Sequence, residues 1–93
     1  MPYRRSNRAL EETGIGNILR TARMRRGQSQ EELANSVGMS ASSISHIEQG
    51  SDLKASTLLR VAAECHLEIL FVPRETVPFV RALLDETSSK RGT

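Results

Sequence analysis

Apolar residues recur at intervals of three and four positions between residues 15 and 65, which is the spacing of amphipathic helices. The pattern predicts a first helix over residues 14–26, because Gly27 follows the last apolar position of this stripe. The same spacing predicts a later helix over residues 55–66. Two shorter helical patterns lie between these segments.

The two shorter patterns are joined by a tight turn. Ser29 and Glu32 have the spacing of a capping box, so a helix begins there. Gly38 ends this helix, because glycine adopts the left-handed conformation without a steric cost. Ser40 offers its side-chain oxygen to the free amides of the next helix, which covers residues 41–49. The segment is therefore predicted to form a helix, a turn and a second helix.

The helix over residues 41–49 has an apolar side, with Ile44 and Ile47, and a polar side. The polar side carries uncharged groups, namely Ser42, Ser45, His46 and Gln49. Hydroxyls, an imidazole and an amide can approach and hydrogen-bond the edges of DNA bases. A face that only had to remain in water would more often carry Lys and Glu, so we expect this helix to read DNA.

The positions that define these helices resemble the helix-turn-helix of the phage repressor and Cro superfamily, often called the XRE family. The residues that carry the resemblance are Gln30, Leu33, Ala34, Gly38, Ser40, Ile44, Ser45, Ile47, Glu48 and Gly50. A looser similarity extends over residues 15–67. The resemblance implies a mostly α fold, a lambda-repressor-like bundle of four to five helices.

The resemblance also implies roles for individual residues. Base contacts fall on Ala41, Ser42, Ser43, Ser45 and His46. Phosphate contacts fall on Gln30, Ser40 and Gln49, and the basic Arg26 is assigned to phosphate as well. Ala41 stands where many relatives carry a long polar side chain, so it offers only a methyl contact, and more of the discrimination falls to Ser42, His46, water and DNA shape. The alternatives are that Gln30 and His46 are ordinary surface residues.

In many relatives an arginine at the position of Arg23 pairs with a glutamate at the position of Glu48. The resemblance therefore implies an ion pair that joins the first helix to the third. The alternative is two surface charges, which would contribute about 1 kcal/mol or less.

The period of the apolar pattern changes after Leu67. Residues 68–72 are mostly apolar or β-branched and are stopped by Pro73, which predicts one short strand. A lone strand would leave its amides and carbonyls unpaired, so we expect it to pair with the same strand of a second copy in an isologous dimer. The residues expected at this contact are Ile69, Leu70, Phe71 and Val72.

A helix-turn-helix followed directly by such a strand resembles the HipB-type antitoxins. Members of that group repress their own operon and bind HipA-like Ser/Thr kinase toxins. A short helix is predicted over residues 77–86, because Pro78 suits an early helical position. Its apolar face would either pack on the sheet of the dimer or bind a toxin.

The chain is thus divided into four parts. Residues 1–12 form a flexible basic arm, residues 13–67 the DNA-binding domain, residues 68–86 the dimerisation strand and short helix, and residues 87–93 a disordered tail. The arm carries Arg4, Arg5 and Arg8, and it is either a frayed terminus or a segment that contacts phosphates or a minor groove.

Composition agrees with one small domain: the chain has 93 residues and a net charge of +2. Eleven of its thirteen basic residues are Arg and most precede residue 27, which suits an anionic partner, although a solvated arm would give the same pattern. Cys65 is the only cysteine, lies in an apolar stripe and is expected to be a buried structural thiol. The sequence has no membrane-length apolar run and no signal-peptide core, so a cytoplasmic protein is expected.

These features predict a homodimeric, sequence-specific transcriptional repressor that binds an inverted-repeat operator in double-stranded DNA. The resemblance to HipB-type antitoxins implies that the protein is the autoregulatory antitoxin of a type II toxin-antitoxin system, with a HipA-like kinase as its partner. One alternative is a stand-alone regulator of a phage or mobile element. Another is a protein-interaction module that does not bind DNA. No metal-ligand cluster or nucleophile-base pair is visible in the sequence, so neither an enzyme nor a cofactor is expected.

Overall fold

The computed structural model describes the backbone of residues 14–92 and the side chains of residues 14–86. The helices are α1 Ile15–Arg25, α2 Gln30–Val37, α3 Ala41–Glu48, α4 Ala55–Glu64 and α5 Val77–Gly92, with a 3₁₀ turn at Arg74–Thr76 before α5. The described part is therefore mostly helical, as the resemblance implied. The helices predicted over residues 14–26, 41–49 and 55–66 begin and end within one or two residues of α1, α3 and α4.

The hydrophobic core lies between α1, α2, α3 and α4. Each of these helices supplies one large side chain that is almost completely excluded from solvent, and these are Leu19, Leu33, Ile44 and Val61. Burial of a side chain of this size contributes about 1.5–3 kcal/mol. All four helices thus share one core, and α3 is fixed to it through its apolar side.

The joint between α2 and α3 has the geometry that its sequence predicted. The Ser29 Oγ accepts a hydrogen bond from the backbone N–H of Glu32 at 3.0 Å, and the Glu32 carboxylate accepts from the Ser29 N–H at 2.8 Å. Gly38 is left-handed, with φ of 72°, and Ser40 Oγ accepts from the Ser43 N–H at 3.1 Å. The capping box, the glycine stop and the serine cap are confirmed.

The contact between α1 and α3 depends on Gly16. This residue is buried, and a Cβ placed on it would collide with the carbonyl oxygen of Ile47 and lie 2.7 Å from that of Glu48. Backbone atoms cannot rotate away from such a contact as a flexible side chain can. Only glycine therefore allows the start of α1 to lie against the end of α3.

The predicted strand at residues 68–72 is absent from the described chain, where residues 67–73 have no regular secondary structure. A strand is defined by hydrogen bonds to a neighbouring strand, and no described segment of the same chain supplies them. Leu70 and Phe71 instead have 75% and 94% of their surface exposed. The strand was predicted to pair with a second copy, so a single chain lacks the hydrogen bonds that would define it, and its pairing across a dimer stays a prediction.

The C-terminal helix is longer than the sequence predicted. Helix α5 continues to Gly92, so its backbone is helical over residues 87–92, where we expected a disordered tail. The basic arm at residues 1–12 lies outside the described residues. None of the helices that the structure describes is long and apolar enough to cross a membrane.

Candidate DNA-binding surface

The outer side of α3 is polar and faces away from the core. Ser42, His46 and Gln49 are exposed, and the three shorter side chains beside them, Ala41, Ser43 and Ser45, are half-buried. Ile44 and Ile47 lie on the opposite side and are buried. The sequence-predicted base-contacting residues therefore share one surface, and this surface carries no Asp, Glu, Lys or Arg side chain.

Several polar groups on this surface are already bound to one another. The hydroxyls of Ser40 and Ser43 lie 2.9 Å apart, and Gln49 Nε2 donates to Ser45 Oγ at 3.1 Å. The side chains of Ser42 and His46 have no hydrogen bond to any residue that the structure describes. Their donors and acceptors are thus the ones that a ligand can use without breaking a bond within the protein.

Glu48 connects three helices behind this surface. Arg23 is 8% exposed; its Nε donates to Glu48 Oε2 at 2.7 Å and its Nη2 to Oε1 at 3.1 Å. The third guanidinium nitrogen, Nη1, donates to the carbonyl oxygen of Gln28 at 2.7 Å. The expected ion pair is therefore present, buried and bidentate. Its hydrogen bond to Glu48 raises the pKa of Arg23 above the ordinary value.

Gln30 is part of the same network. Its Nε2 donates to Glu48 Oε1 at 3.0 Å, so one of its two amide N–H groups is occupied inside the protein. The second N–H remains available, and it would donate a hydrogen bond to a DNA phosphate. Contact between Gln30 and DNA would thus act on a side chain whose orientation Glu48 already sets.

Arg26 lies at the C-terminal end of α1, away from the polar side of α3. The Arg26 Nη1 lies 2.8 Å from the ring nitrogens of His66, beyond the end of α4. A guanidinium only donates, so an imidazole nitrogen accepts this hydrogen bond. His66 itself has a left-handed backbone with φ of 60°, and Leu67 N–H closes the helix end on the Ala62 carbonyl at 2.8 Å. If Arg26 binds a DNA phosphate through Nη1, its hydrogen bond to His66 must first break.

Two residues that position the surface were not predicted from the sequence. Gly16 allows α1 to touch the end of α3. Arg60 of α4 donates to the carbonyl oxygen of Val37 at 3.0 Å and so holds the end of α2 just before the turn. A glycine inside a predicted helix costs about 1 kcal/mol relative to alanine, and that cost was the available signal for a close contact at residue 16.

Comparison with known proteins gives two matches. Residues 15–68 match a protein family described as Helix-turn-helix domain. The chain is 38% identical over 76 residues to the uncharacterized HTH-type transcriptional regulator y4dL of Sinorhizobium fredii (strain NBRC 101917 / NGR234). The aligned region covers 81% of this chain and 39% of that relative, so the chain spans about two fifths of the relative's length. No solved structure matches.

Proposed function

Because the chain belongs to the XRE-like helix-turn-helix family, we propose that it is a DNA-binding transcriptional regulator that reads its site with α3. The observation that carries this proposal is the exposed, uncharged polar side of α3, on which the Ser42 and His46 side chains have no hydrogen-bond partner among the described residues. Groups left without internal hydrogen bonds are the ones that can be satisfied by base edges in a major groove.

The side chains of this surface suit different base edges. A serine hydroxyl donates and accepts, so Ser42 can bind more than one base, whereas the imidazole of His46 can donate to an acceptor such as the N7 or O6 of guanine. Ala41 offers a methyl group for contact with thymine. Gln30 begins α2, Ser40 caps the start of α3 and Gln49 follows its end. All three would bind phosphates. Such contacts supply affinity, while Ser42 and His46 select the sequence.

We further propose that the regulator is a repressor that works as a homodimer on an inverted repeat. Two copies would place their α3 helices in successive major grooves, about 34 Å apart. Residues 69–72 would pair with the same residues of the second copy, across the two-fold axis. The exposure of Leu70 and Phe71 supports this arrangement, because neither side chain is buried by its own chain.

The finer biological assignment is the autoregulatory antitoxin of a type II toxin-antitoxin system, with a HipA-like Ser/Thr kinase as its partner. It is supported by the order of the segments: residues 68–72 follow α4 directly, and Val72 is followed by Pro73 and Arg74. The competing assignment is a stand-alone regulator. The two differ in whether the gene beside the operator encodes a kinase that binds this protein. Neither assignment makes the chain an enzyme.

The test is to recover genomic fragments that the purified protein binds, and to footprint them at two salt concentrations. The proposal predicts protection of an inverted repeat, with affinity that falls steeply as salt rises. His46→Ala and Ser42→Ala should each cost about 1–3 kcal/mol at one or two base pairs and leave binding to random DNA nearly unchanged. Ser56→Ala, at an exposed serine of α4, is the matched control. Equal losses on cognate and random DNA would remove α3 as the reading element.

A further inference from the structure

Exposed large apolar side chains are concentrated between Leu59 and Leu84. Those more than half exposed in this region are Leu59, Leu70, Phe71, Phe79, Leu83 and Leu84. Monomeric proteins rarely expose contiguous apolar patches larger than a few hundred Å². Six such residues between positions 59 and 84 are candidates for a surface that another molecule covers.

One part of this surface is a cleft beside α4. It has a volume of about 440 Å³ and lies between the outer side of α4 and the chain that follows it. Its apolar lining includes Leu59, Ala63, Leu67 and Ile69, and the polar residues His66 and Glu68 line it as well. We call this space the α4 cleft.

A second part of the surface is a projecting helix face. Phe79 and Leu83 of α5 are separated by four residues, so they lie on the same side of the helix, and they are 71% and 64% exposed. Within the described residues, the close packing of α5 is with the 3₁₀ turn at Arg74–Thr76 and not with α4. The α5 helix of a chain thus leaves the α4 cleft of that chain open.

We propose that Phe79 and Leu83 of each chain insert into the α4 cleft of a second copy. In an isologous dimer, residue i of one chain contacts residue j of the other, and residue j of the first contacts residue i of the second. A chain that carries both a cleft and an exposed apolar helix face can pair with its own copy in this way. This contact adds to the proposed pairing of residues 69–72 and rests on the homodimer of the proposed function.

Area favours a second copy as the occupant. A stable interface buries about 800 Å² on each partner, and six large side chains that are more than half exposed can supply an area on that order.

Cross-linking between two differently tagged chains tests the contact directly. One chain carries Ala63→Cys, in the cleft, and the other carries Ala82→Cys, beside Leu83; both alanines are exposed and neither is one of the large contacts. A short bis-maleimide should join the two different chains. Thr21→Cys, at an exposed position of α1, replaces Ala63→Cys in the matched control and should give no such product. The wild-type protein, whose Cys65 is buried, controls for background.

Three results would overturn the inference. The first is a protein that sediments as a monomer at the concentration used for cross-linking. The second is a dimer that gives no product between the two tagged chains. The third is a chain with both cysteines that gives a product only within itself, which would mean that α5 covers its own cleft.

A substitution separates this inference from the function proposed above. Phe79→Ser combined with Leu83→Ser should weaken the dimer by about 100-fold, as loss of two central apolar anchors does, while the helical content of the bundle stays unchanged. Asp85→Ser, on the same helix, should leave the dimer intact. If the wild type binds its operator and the double variant dimerises equally well, the inference fails and the function stands. If the wild type cross-links as expected and binds no specific DNA, the function fails and the inference stands.

Discussion

The bundle of α1 to α4 and the segment after Leu67 contain similar apolar residues in opposite environments. Leu33 in α2 is completely buried, whereas Phe71, a larger side chain, is 94% exposed. The bundle completes its core within one chain, because each helix supplies a side chain to the same interior. The later segment has no such interior of its own among the described residues. Within residues 69–72, Ile69 packs against the core of the bundle, whereas Leu70 and Phe71 remain on the surface.

The largest expected effect is in the bundle, at Glu48. Glu48→Ala leaves the Arg23 guanidinium buried without its carboxylate, which should lower the free energy of unfolding by about 3–5 kcal/mol. Urea unfolding monitored by circular dichroism measures this. Glu31→Ala, an exposed carboxylate on α2, is the control and should change stability by about 0.5 kcal/mol or less. An equally small effect at Glu48 would mean that the ion pair does not hold α1 to α3.

Gly16→Ala should have the next largest effect. The added methyl group meets the backbone of Ile47 and Glu48, so α1 must move away from α3 at a cost of roughly 2–3 kcal/mol. Thr21→Ala, on the exposed side of the same helix, controls for helix propensity. Thermal unfolding of both variants shows whether the change in stability comes from the contact at Gly16 or from the helix propensity of α1. A Gly16→Ala protein as stable as wild type would contradict the close approach.

Ser29→Ala should cost about 1 kcal/mol, the usual contribution of an N-terminal cap. The effect of the box also depends on pH, because the hydrogen bond from the Ser29 N–H lowers the pKa of Glu32 below its ordinary value. A lowered folded-state pKa contributes stability above the ordinary carboxyl pKa, and this stability is lost as pH falls through the lowered value. The difference between wild type and Glu32→Gln should therefore shrink on acidification. A stability difference between wild type and Glu32→Gln that grows on acidification would contradict the lowered pKa of Glu32.

The smallest effect on folding is expected outside the bundle. Leu70→Asp should change the free energy of unfolding of the monomer by about 0.5 kcal/mol or less, because Leu70 is 75% exposed. The same substitution should prevent dimerisation and weaken operator binding, as measured by sedimentation and footprinting. Leu33→Asp is the opposite control, since it should unfold the bundle. A Leu70→Asp protein that remains dimeric would refute pairing through residues 69–72.

The sequence predicted the bundle well because its signals are local. Capping residues such as Ser29 and Ser40 act within one turn of the helix they start, and apolar spacing identifies the buried side without knowledge of the partner helix. The pairing of Arg23 with Glu48 came from the family resemblance, since no local rule joins residues 25 positions apart.

Two of the features that sequence reasoning missed depend on distant neighbours. Nothing near Gly16 indicates that the end of α3 lies against it, and nothing near Arg26 indicates that His66 receives its guanidinium. The strand at residues 68–72 was a prediction about two chains, so one chain lacks the hydrogen bonds that define it. The continuation of α5 over residues 87–92 shows that a polar composition does not by itself prevent a helix.

The hydrogen bonds of α3 have a consequence for how such a regulator can diverge. Gln30 shares the Glu48 carboxylate with Arg23, so a replacement there disturbs the network that joins α1, α2 and α3. The side chains of Ser42 and His46 have no hydrogen bond to any described residue, so other side chains can replace them at little cost to folding. After gene duplication, daughter proteins could acquire new target sequences by substitutions at these two positions while the bundle and its ion pair remain as they are.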